Sequence, residues 1–143
     1  MKDNVVKDKS LEFAVRIVNL YKFLVNEQKE FVMSKQILRS GTSIGANIRE
    51  AEQAQSRADF INKLNIALKE ANETEYWLEL LIRTEYITRE QYESINNDST
   101  EINKLLISII KKTINNNPQL PFDFRHSLIV NCQLSIVNSI NYE

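Results

Sequence analysis

Glycine, proline, histidine and cysteine are nearly missing from this sequence. Two Gly and two Pro among 143 residues are too few for a turn-rich β-sandwich or a glycine-looped nucleotide fold, and they suit long helices. A single cysteine, Cys132, excludes a disulfide framework, and with one histidine, His126, it cannot assemble a typical zinc site. The same scarcity removes the Ser/His and Cys/His pairs that nucleophilic catalysis needs, so no catalytic residue is assigned and no enzyme is expected. No cofactor motif is present either. No apolar run approaches the roughly 18 residues of a membrane span. Residues 1–9 are charged and lack the apolar core of a signal peptide. The expectation is a cytoplasmic protein with a reduced thiol and no membrane contact.

Charge of one sign is also missing. Eighteen Lys and Arg face 19 Asp and Glu, for a net charge of −1, so no global basic field points to a polyanion. What is present is ordinary globular material, 43% hydrophobic and 26% charged, in a chain long enough to bury a core unaided.

The apolar residues recur with helical spacing in four segments. The first begins near Ser10 or a little earlier and runs to about residue 27, with Phe13, Ile17, Leu20 and Leu24 on one stripe. A second stripe, Ala14, Val18, Tyr21 and Val25, widens that face beyond what one neighbouring helix requires. Ser34 is read as the N-cap of the second segment, which runs to about residue 55 along Ile37, Gly41, Ile44, Ile48 and Ala51. Both glycines of the chain, Gly41 and Gly45, lie there one turn apart. Each costs a helix roughly 1 kcal/mol relative to Ala, a cost that close approach of another helix would offset. Asn47 is expected to bond a neighbouring helix.

Ser56 caps the third segment, with Asp59 three residues on. Phe60, Leu64, Ala67, Ala71, Thr74, Leu78 and Leu81 then hold a heptad rhythm. Thr88 and Gln91 form a capping box before the fourth segment. The run Asn96, Asn97, Asp98, Ser99 is poor helix material and a candidate for a kink or break. This segment ends near residue 117, ahead of Pro118. Short connections force antiparallel neighbours. The predicted fold is all-α: an antiparallel, up-down-up-down four-helix bundle over residues 1–117. Residues 118–143 are read as a non-helical C-terminal tail, flexible or loosely docked.

Two charged features stand out. Glu70, Glu73, Glu75 and Glu79 crowd the third segment, but a di-metal carboxylate site would need Glu-x-x-His twice. A solvated charged face, neutralised by Lys63, Lys69 and Arg83, is expected, and no metal site. The second feature is basic: Lys35, Arg39, Arg49, Arg57 and Lys63 cluster around the second segment, the turn after it and the start of the third. Evenly spread charge can still fold into a basic patch for RNA or DNA.

The run Arg39-Ser40-Gly41-Thr42-Ser43-Ile44-Gly45-Ala46-Asn47-Ile48-Arg49-Glu50-Ala51 resembles the signature of the four-helix-bundle family encoded by 23S rRNA intervening sequences. The likeness continues through Ser56-Arg57-Ala58-Asp59-Phe60 and through residues 67–78, and covers about residues 5–115. The accessory variability proteins of diversity-generating retroelements resemble the same family. The resemblance implies a ring-shaped homopentamer that binds RNA or DNA, or alternatively a scaffold for a partner enzyme such as a reverse transcriptase. It brings no catalytic residues with it.

Overall fold

The computed structural model describes residues 2–116, and four α-helices account for nearly all of them. These are α1 (Lys2–Asn26), α2 (Met33–Glu52), α3 (Arg57–Arg83) and α4 (Arg89–Asn115). The C-terminal tail, with His126 and Cys132, lies outside the described residues. Packing runs round a closed circle, α1 on α2, α2 on α3, α3 on α4 and α4 on α1. Register reverses across the seams. Ile17 sits over Gly41 while Ser10 sits over Gly45, Ser40 meets Thr74 while Glu50 meets Lys63, and Lys9 meets Glu101 while Arg16 meets Asp98. These pairs make α1/α2, α2/α3 and α1/α4 antiparallel, and a link of only residues 84–88 turns α4 back along α3. Phe13, Ile17, Ile44, Leu64, Leu78 and Leu106 are among the fully buried side chains of the central core. No described helix is long and apolar enough to cross a membrane.

The glycine pair behaves as its cost requires. A Cβ on Gly41 would stand 2.8 Å from two carbons of Ile17, and one on Gly45 would stand 3.3 Å from the Ser10 hydroxyl. Alanine at Gly41 would therefore push α1 off α2. On the other face of α2, Thr74 Oγ1 donates to Ser40 Oγ at 2.9 Å, with both residues fully buried.

Several local expectations are corrected. α1 starts at Lys2, and Ser10 lies buried inside it, its hydroxyl donating to the Lys7 carbonyl. Ser34 is not the cap of α2. Val32 occupies that position without a capping side chain, and the Glu30 carboxylate accepts from the backbone N–H groups of Val32, Met33 and Ser34 at 2.9, 2.9 and 2.6 Å. A carboxylate at a helix N-terminus also meets the positive end of the macrodipole. Burial pushes the Glu30 carboxyl up, but the three backbone donors outweigh it and hold it below the usual range.

α4 passes through Asn96–Ser99 without a break, and that polar run faces its neighbours: Asp98 pairs with Arg16 and the buried Ser99 bonds Glu75. In the α3 seam Ile61 takes the buried place expected of Phe60, which is half-buried. Asn47 donates to the Ser43 carbonyl of its own helix rather than to a neighbour. The caps at Ser56 and Thr88 form as expected, the second as a complete capping box with Gln91.

With both glycines inside α2, two other turns use L-residues in the left-handed region. Lys29 after α1 has φ 54° and Glu85 after α3 has φ 65°.

Candidate nucleic-acid interface

The five basic residues singled out in the sequence do not form one patch. Lys35 and Arg49 are 14 residues apart on the same helix, about 21 Å along its axis. Arg49, Arg57 and Lys63 gather where α2 turns into α3. Lys35 and Arg39 lie toward the opposite end.

Two of the five are neutralised within the chain. Arg39 reaches across to α3, pairing with Glu70 at 3.3 Å and hydrogen-bonding Glu73. The bond from Glu73 raises the Arg39 pKa, and in return Arg39 holds Glu73 below the usual carboxylate range. Glu70 moves the other way, because burial outweighs its arginine partner. Lys63 pairs with Glu50 at 2.8 Å, and this bond raises its pKa. Lys35, Arg49 and Arg57 are exposed and make no ion pair among the described residues.

The acidic crowd on α3 is likewise not a uniformly solvated face. Glu79 pairs with Arg83 one turn on, as expected. Glu70 and Glu73 are met by Arg39 of α2 rather than by Lys69. Glu75 turns inward to α4, where it accepts from Ser99 and Asn103. Successive helical residues point about 100° apart, so residues 73 and 75 leave the helix on opposite flanks. No group of acidic, histidine or cysteine side chains that would hold a metal is found among the described residues.

The antiparallel circle adds two cations that the linear sequence separates from the others by some 50 residues. The last turn of α4 lies at the same end of the bundle as the α2–α3 turn, and it carries exposed Lys111 and Lys112. The acids of α2 at this end are occupied, Glu50 by Lys63 and Glu52 by Lys7 at 2.9 Å. Asp59 accepts from the Gln55 backbone. Arg49, Arg57, Lys111 and Lys112 are left as exposed cations without an ion-pair partner among the described residues.

Charge is thus polarised along the bundle. The half built from residues 5–12, 44–70 and 101–116 holds nine cations against seven acids, and the half built from residues 13–43 and 71–100 holds seven against nine. Net charge hides this division. Lys111 and Lys112 also suit the negative end of the α4 dipole, and the signal that joins them to Arg49 and Arg57 is topology.

Comparisons with known proteins agree with this fold. Residues 2–108 match the family model described as 23S rRNA-intervening sequence protein. A crystal structure of a protein of unknown function from the S23 ribosomal protein family of Bacteroides thetaiotaomicron VPI-5482 is similar to the chain. It shares 98% sequence identity at a TM-score of 0.74, over 77% of this chain and 95% of that one. Comparison with curated proteins yields no match.

Proposed function

The chain belongs to the 23S rRNA-intervening sequence protein family, and on that premise we propose that it is a non-enzymatic binding protein for structured RNA or DNA. The contact is made by the basic end of the bundle. The observation that carries this is the set Arg49, Arg57, Lys111 and Lys112, exposed at one end while the neighbouring acids of α2 are held by Lys7 and Lys63. Cations already committed to internal carboxylates, such as Arg39, offer little to a phosphate. Unpartnered ones release counterions when they meet a backbone, which gives sequence-independent affinity that falls with salt.

A protomer offering four such residues binds weakly alone. Repetition in a homo-oligomer, with a pentamer as the expected form, raises the effective strength without new contacts. Exposed Leu11 and Val15 on α1, at 50% and 54% of their full accessibility, support such self-association. They equally support the alternative role of a scaffold for a partner protein.

Filter binding of structured RNA and duplex DNA across a salt series tests the proposal. Log affinity falls linearly with log salt for the native protein. Arg49→Glu with Arg57→Glu flattens that slope, and Lys35→Glu, at the other end, leaves it nearly unchanged. A flat salt response in the native protein, or equal losses from both ends, would falsify the assignment.

A further inference from the structure

The seam between α3 and α4 holds a carboxyl group in unusual company. Glu75 is largely withdrawn from solvent and has no cationic partner among the described residues. Its Oε1 accepts from Ser99 Oγ at 3.1 Å and from Asn103 Nδ2 at 2.9 Å. The other amide atom, Asn103 Oδ1, is buried and accepts no hydrogen bond from the described residues. A buried acceptor left without a donor is costly, and an ionised carboxylate has no proton to give it.

One added proton removes the mismatch. A neutral carboxylic acid is both donor and acceptor, so it can face a primary amide across two antiparallel hydrogen bonds. Half of that pair already exists as Asn103 Nδ2–H to Glu75 Oε1. A proton taken from solvent onto Oε2 supplies the other half, Oε2–H to Asn103 Oδ1.

We propose that Glu75 and Asn103 form a proton-operated latch between α3 and α4, closed as a two-bond acid–amide pair when Glu75 is neutral and half-open when it is ionised.

The charged and titratable surroundings do not supply a rival cause. On α3, Glu79 one turn further on pairs with Arg83. On α4, Asp98 pairs with Arg16 of α1, Glu101 pairs with Lys9 of α1, Lys104 is exposed, and Tyr92 packs against the core near the other end of the helix. Arg39 of α2 serves Glu70 and Glu73 on the far flank of α3. Burial pushes the Glu75 carboxyl above its ordinary range, against the two hydrogen bonds that favour the ionised form. A group raised in the folded state stabilises fully at pH below its unfolded pKa, and that contribution is lost as pH rises through the folded value.

The test uses the full chain and two readouts. Carbon-13 NMR of the native protein follows the Glu75 carboxyl against pH, with free glutamate as reference, while nitrogen-15 spectra follow the Asn103 side-chain amide. The Glu75 midpoint is expected above that of free glutamate, with the Asn103 amide signals moving at the same midpoint. Thermal melts then compare the native protein with Glu75→Gln, whose amide donates to Asn103 Oδ1 at every pH. The variant melts at higher temperature than the native chain above the Glu75 midpoint, and the gap closes below it. A Glu75 midpoint equal to that of free glutamate, an Asn103 amide that does not co-titrate, or a variant that melts lower at all pH values each overturns the latch.

Discussion

Gly41 and Gly45 are one turn apart on α2, yet they meet different atoms of α1. At Gly41 a new methyl group would press on the branched carbons of a buried isoleucine, which has no room to yield. At Gly45 it would meet a serine hydroxyl at 3.3 Å, and a hydroxyl can rotate. Overpacking costs about 1–3 kcal/mol, while Gly to Ala in a helix returns up to about 1 kcal/mol. Gly41→Ala is therefore expected to destabilise by about 1–2 kcal/mol and Gly45→Ala to be neutral or slightly stabilising. Urea unfolding of the two variants checks this, and equal losses at both positions would contradict the geometry. The importance of these glycines was legible because the chain has no others to distract from them. The role of Glu30 was not, since its carboxylate caps α2 from before the helix begins, a matter of how the link folds rather than of spacing. The bond of Asn47 escapes the sequence for a related reason. A side-chain amide on a helix has a carbonyl of its own helix always within reach, and sequence does not say which acceptor prevails.

At the scale of the element, the seven-residue rhythm of α3 and the caps at Ser56 and Thr88 were readable directly, because both depend on residues close in the chain. The continuity of α4 was not. Low helix propensity at Asn96–Ser99 is overridden by contacts to α1 and α3, and propensity is a weak prior against packing. The helix ends carry a further consequence. α1 and α3 are each followed by a non-glycine residue with positive φ, Lys29 and Glu85. An L-residue in that conformation costs roughly 1–2 kcal/mol that glycine avoids. Lys29→Gly and Glu85→Gly should each stabilise the protein by about 0.5–1 kcal/mol, after the greater entropy of glycine in the unfolded chain is subtracted. Differential scanning calorimetry would detect the rise. A fall in melting temperature for both variants would show that the turns are not strained.

For the whole molecule, the four-helix arrangement was legible from segment count and link length, whereas the candidate interface was only half legible. Arg49 and Arg57 stand near each other in the chain, but the ion pairs that silence Arg39 and Lys63, and the folding-back that brings up Lys111 and Lys112, are three-dimensional facts. Assembly belongs to this scale as well. Light scattering of the native chain is expected to give a multiple of 16.7 kDa, and Leu11→Glu with Val15→Glu is expected to shift the mass toward a single protomer. A native mass of one protomer would remove the oligomer from the proposal and leave four cations to act alone.

The seams of the bundle are not fastened alike. Charged pairs span α1/α2, α2/α3 and α1/α4, whereas α3 and α4 are joined through Glu75, Ser99 and Asn103. Concentrated electrolyte screens exposed pairs and leaves sheltered hydrogen bonds almost untouched. In brine, then, the border of α4 with α1 is expected to weaken before its border with α3, so the fold has already chosen the hinge side on which the fourth helix would open.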